Sequence, residues 1–176
     1  MTPLPKAERA RAGADARRRV PPAAHAAWRP GPDRPDPVAL LEEQAGSRVP
    51  QLVPIRYGRM LVSPFTFFRG AALPMAADLA TTPVSGFDVQ LVGDAHLSNF
   101  GLFASPERNL LFDMNDFDET LPAPWEWDVK RLAASFVVAC RDKGLKDDVA
   151  RDVAETCART YRESMAEFSE LKTLEL

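Results

Sequence analysis

Val89-Gln90-Leu91-Val92-Gly93-Asp94-Ala95-His96-Leu97-Ser98-Asn99, with Asp113-Met114-Asn115-Asp116-Phe117-Asp118-Glu119 after it, is the stretch whose reading decides the fold. Residues 89–92 are a short apolar, partly β-branched run that stops at a glycine before an acid, a histidine and an asparagine. That is the pattern of a strand that delivers polar groups at its end. Residues 100–103 form a second apolar run, 105–109 a turn cluster, and 110–112 a third run that ends in carboxylates. The simplest reading is a hairpin whose return strand brings Asp113 and Asp116 beside Asp94 and Asn99. An acid that orients a hydroxyl, with oxygen ligands for a hard divalent cation, is what phosphoryl transfer requires.

The acids Asp113, Asp116, Asp118, Glu119, Glu126 and Asp128 follow one another with no basic residue between them. Packed closely they would raise one another's pKa unless they share a cation, and hard oxygen ligands suit magnesium or manganese. A solvated acidic loop is the alternative reading. His96 has no second histidine near it in sequence, because His25 lies far upstream; a two-histidine zinc site has little support.

At these residues the sequence resembles a known group of enzymes. Gly93-Asp94-x-His96-x-x-Asn99 is similar to the catalytic loop of the aminoglycoside phosphotransferase and choline kinase branch of the protein-kinase-like superfamily, and Asp116-Phe117 to that branch's metal-binding Asp. The longer wording resembles DUF2252, a bacterial family of uncharacterised proteins. It runs from Arg56-Tyr57-Gly58-Arg59-Met60 through Phe68-Arg69-Gly70 to Trp125-Glu126-Trp127-Asp128-Val129-Lys130-Arg131-Leu132. The likeness covers most of the chain from about Asp36 onward. It implies that Asp94 is the catalytic base, that Asn99 and Asp116 bind Mg2+ (or Mn2+), with Asp113 as the rival of Asp116, and that ATP is the donor. His96 and Asp128 would brace the loop. An unknown small-molecule or protein acceptor would receive the phosphoryl group.

The chain as a whole sets wider bounds. Its 176 residues, 45% hydrophobic, suffice for one modest core. A net charge of −3 and a pI near 5.5 give no general attraction to nucleic acid or to an anionic membrane. Cys140 and Cys157 fall on apolar helical positions and read as reduced core thiols. The longest apolar stretch, residues 132–140, is far shorter than the roughly 20 residues that span a bilayer, and the N-terminus lacks a secretory core. A cytoplasmic setting is expected.

Residues 1–35, rich in Pro, Ala and Arg and without an apolar stripe, read as a disordered basic arm, and 36–176 as the domain. Asp36 as N-cap, Pro37 at the first position and Gly46 as a stop define a short helix, and residues 71–80 another. Arg56, Arg59 and Arg69 arrive among aromatic residues; Arg69 is a candidate partner for phosphate or for the acids downstream, although an Arg beside a buried Asp commonly just pairs with it. Asp128 is expected as N-cap of a helix bearing Leu132, Phe136 and Val137, and a last helix starts near Asp147. The core is expected where Val89, Leu91, Leu110 and Phe112 meet Leu132, Phe136 and Val137.

The fold expectation is α+β with protein-kinase-like C-lobe features, a catalytic-loop β-hairpin packed on helices. A glycine-rich nucleotide loop and a strand Lys are missing from the chain in recognisable form, so it reads as an incomplete kinase-like fold, the N-terminal part of the family's full length. The leading function is a Mg-dependent phosphotransferase, or its catalytic-loop half. A non-catalytic kinase-fold binding protein is the alternative, and a metal-dependent hydrolase has less support.

Overall fold

The computed structural model describes residues 4–171. Seven helices and four short strands follow in order: α1 (Lys6–Arg19), α2 (Pro37–Ala45), α3 (Val53–Met60), α4 (Pro64–Arg69), α5 (Ala72–Leu79), β1 (Asp88–Leu91), β2 (Phe100–Ala104), β3 (Leu110–Met114), β4 (Leu121–Pro124), α6 (Glu126–Asp142) and α7 (Asp147–Phe168). The class is mixed α+β with small antiparallel sheets.

Local chemistry explains most of the helix boundaries. The Asp36 carboxylate accepts the Val38 N–H, Pro37 opens α2 and Gly46 closes it, as the sequence leads one to expect. Ser63 and Thr66 form a reciprocal capping box at the start of α4. Ser63 also donates its hydroxyl to Asp142 Oδ2 at 3.0 Å, which ties that start to the end of α6.

The strands divide into two pairs. β2 and β3 form the expected hairpin, with Phe100 opposite Met114 and Gly101 opposite Asp113. β1 pairs instead with β4, Leu91 opposite Leu121 and Asp88 opposite Pro124. β4 was not foreseen: Leu121-Pro122-Ala123-Pro124 carries two prolines, which remove two ladder donors and leave a strand only an edge pairing.

This division corrects the expected core. Leu91 is buried, but Val89 is 44% exposed, Leu110 72% and Phe112 68%. Among the described residues the hairpin makes no extensive contact with α6 and is not hydrogen-bonded into the other sheet. The core lies between the helices and the β1 end, with Leu41, Met60, Leu79, Leu91, Val92, Ala95, Cys140 and Ala150 buried. α6 and α7 make the most extensive helix pairing, and Trp125 stacks on Tyr161 with ring centres 5.7 Å apart and planes 9° from parallel. Cys140 and Cys157 are free thiols.

The arm is also corrected. Residues 6–19 are helical in place of the expected disorder, because Ala and Arg are strong helix formers even without an apolar stripe, and only Ala16 of that helix is buried. Residues 20–35 lie against the domain: Trp28 Nε1 donates to Thr81 Oγ1, and Arg34 forms a forked pair with Asp78 at 2.6 and 2.8 Å. α6 begins three residues earlier than expected, with Trp125 at the N-cap position, so Asp128 sits in its first turn and is not the N-cap. No helix among the described residues is long and apolar enough to cross a membrane.

Candidate functional site

The turn after β1 gathers the polar groups. Gly93 has φ +82°, and a Cβ placed there would lie 2.0 Å from the Glu119 carbonyl oxygen, so this position excludes any side chain. Two amides at the turn, Val92 N and Gly93 N, donate to the two oxygens of Asp128 at 2.8 and 3.1 Å. Burial raises the Asp128 carboxyl above its ordinary pKa, against the pull of those amides and of Arg131.

Asp94 follows directly. Its Oδ1 accepts from Arg131 Nε at 2.9 Å and also from the terminal guanidinium nitrogen Nη2 of the same side chain. Its Oδ2 lies 3.4 Å from His96 Nε2. Burial pushes the Asp94 carboxyl up, but His96 and Arg131 together outweigh it and hold the group below its ordinary range. The His96 ring accepts the Ser98 N–H at Nδ1, 3.1 Å, which places its proton on Nε2, toward Asp94.

Asn99 is buried and joins two segments. Its amide nitrogen donates to the Asp94 carbonyl and to the Asp116 carbonyl, both at 3.1 Å, while its backbone oxygen accepts Asn115 N–H at 3.0 Å. The expected neighbourhood of the Asp94 and Asp116 segments is therefore present, made through backbone oxygens. The Asp113 and Asp116 side chains are exposed and turn to local amides, Asp113 to Met114 N and Asp116 to Asp118 N. Among the described residues no group of three or more His, Cys, Asp or Glu side chains converges to hold a metal.

Arg69 is exposed, and the described hydrogen bonds and ion pairs give it no part in the site. The arginine that meets the acid is Arg131. It is 2% exposed, lies 4.5 Å over the Phe68 ring, and donates to the Phe68 carbonyl at 2.9 Å. Its position three residues after Asp128 on α6 was the available signal, since residues at that spacing share a helix face. Ser135, fully buried, was missed as well: its hydroxyl accepts Leu97 N–H at 3.0 Å and donates to the Leu132 carbonyl, so α6 holds the turn at a second point. Arg56 is structural in its contacts, donating to Gln44 and to the Gly70 carbonyl.

These features define a mixed α+β protein in which one helix grips a polar turn through a carboxylate, a guanidinium and a hydroxyl. The chain belongs to DUF2252, described as uncharacterised protein conserved in bacteria, whose pattern matches residues 48–176. No curated protein and no solved structure matches it.

Proposed function

We propose that this chain carries the catalytic loop of a magnesium-dependent, kinase-like phosphotransferase. The observation that supports it most is the tie made by Asn99, which holds the backbone of Asp94 against that of Asp116 at 3.1 Å on each side. In this reading Asp94 Oδ2 orients the acceptor hydroxyl and takes its proton, while Arg131 fixes Oδ1 and keeps the carboxylate ionised. His96 positions that carboxylate, and Asp128 holds the two amides behind it.

The donors suit the expected ion in kind. The Asn99 side-chain oxygen and the Asp116 carboxylate, with Asp113 as the rival, are hard ligands appropriate to magnesium or manganese. Such an ion, when bound, would neutralise charge on the phosphates of ATP. The acceptor would be a small molecule or a protein, and the setting the cytoplasm, where ATP is available.

A second reading is favoured by Arg131: a carboxylate engaged by a buried guanidinium suits a structural pin in a non-catalytic binding protein. Calorimetric titration with ATP, with and without magnesium, separates the two. The phosphotransferase reading expects a magnesium-dependent ATP signal that Asp116→Asn abolishes, and that Asp94→Asn leaves in place while phosphoryl transfer is lost. Absence of ATP binding, or binding indifferent to Asp116→Asn, decides for the scaffold.

A further inference from the structure

Phe68 and Met75, which both touch the Arg131 guanidinium, also line a cavity of about 600 Å³ between residues 25–37 and helices α4, α5 and α6. Its walls are apolar and ring-rich, with Trp28, Phe67, Phe68, Pro74, Met75 and Val138 among them. Its polar groups are few, which is the usual make-up of a small-molecule site. Arg34 and Asp78 also line it, but they neutralise each other in their forked pair.

Lys130 supplies the remaining charge. Its ammonium donates to Thr82 Oγ1 at 2.8 Å, and among the described residues it forms no ion pair. Two further donor positions of the ammonium are left over. Glu126, one helical turn back, is 3% exposed and is not in the cavity lining. Its Oε1 accepts Ser85 N–H and its Oε2 is buried without a hydrogen-bond partner, and its charge is felt by Lys130 and His25 although it forms no ion pair with either. Beside Lys130 the His25 ring lines the same end with Nδ1 buried and without a hydrogen-bond partner. Burial and the neighbouring Lys130 lower the His25 pKa, which keeps the ring neutral and able to accept or donate one bond.

We infer that this cavity binds an amphipathic monoanion, its apolar body among Phe67, Phe68, Trp28 and Val138 and its anionic head on Lys130 beside His25. A lysine with free donors in the wall of an apolar cavity selects that class over a neutral or cationic amphiphile, because Lys130 makes no ion pair among the described residues and its free donors favour an anionic head. The site is independent of phosphoryl transfer, since none of its polar groups is among those around Asp94. The two share one wall: Phe68 carries the Arg131 guanidinium on its ring, and Met75 Sδ accepts from the same guanidinium at 3.5 Å.

The test is calorimetric titration of the full chain with decanoate, decanol and decylammonium below their aggregation concentrations. One saturable site for decanoate is expected, with decanol about tenfold weaker, the value of one charge-assisted hydrogen bond, and decylammonium weaker again. Lys130→Met should bring decanoate down to the level of decanol and leave decanol unchanged. Val138→Trp, which fills the chamber, should weaken all three. Should Val138→Trp fail to fold by circular dichroism, Phe67→Ala takes its place, because Phe67 is 38% exposed and its loss is mild. No saturable decanoate binding, equal affinities for the three head groups, or indifference to Lys130→Met would each overturn the assignment. None of these outcomes touches the magnesium and ATP test.

Discussion

Asp94 and Asp128 face the same turn, yet protonation moves them in opposite senses. Asp94 has a folded pKa below its ordinary 3.8, so the stability it adds is complete above that value and drains away as pH falls through it toward the folded value. Asp128 has a folded pKa above 3.8, so its contribution declines as pH rises from 3.8 through the folded value. Thermal melts between about pH 2 and 6 should therefore show a weaker acid limb in Asp94→Asn and a steeper one in Asp128→Asn; parallel curves would contradict the geometry. Arg131→Met alone should cost about 3–5 kcal/mol, because it leaves the Asp94 charge partly buried without its partner, and the pair Asp94→Asn with Arg131→Met should recover much of that. The sequence made Asp94, His96 and Asn99 visible because a strand ended just before them, and Asp128 because it looked like a helix cap. It hid Arg131 and Ser135, since a charged or hydroxyl group inside an apolar helix pattern reads as an interruption until the partner is known.

Among the elements, helices whose ends carry their own chemistry were legible: α2 through Asp36, Pro37 and Gly46, and the β2–β3 hairpin through its turn cluster. β4 was not, because two prolines in four residues argue against a strand until β1 supplies a single edge to pair with. The larger error concerned where the hairpin packs. An alternation of apolar residues shows that a strand has something to bury and leaves open what covers it. Leu91→Ala, at a fully buried position, should cost about 2–5 kcal/mol in urea unfolding. Phe112→Ser, on the outstanding hairpin, should stay within about 0.5 kcal/mol of the parent. If Phe112→Ser proved as costly as Leu91→Ala, the hairpin would be packed elsewhere than described.

At the scale of the molecule, the arm is part of the folded body. Composition marked residues 1–35 as solvated, and only tertiary contacts, Trp28 with Thr81 and Arg34 with Asp78, give residues 20–35 a fixed path. A chain beginning at Asp36 should melt several degrees lower than the full chain, about the shift that 1–2 kcal/mol produces in a domain of this size. An unchanged melting temperature would mean that the arm adds nothing to the fold. Asn99 has a consequence of another kind. One carboxamide bonded to two carbonyls twenty-two residues apart, Asp94 and Asp116, splices distant segments into a single opening unit. In a hydrogen-exchange experiment the Asn99 and Asn115 amides should then lose protection together, and Asn99→Ala should release both to exchange at rates set by their separate loops.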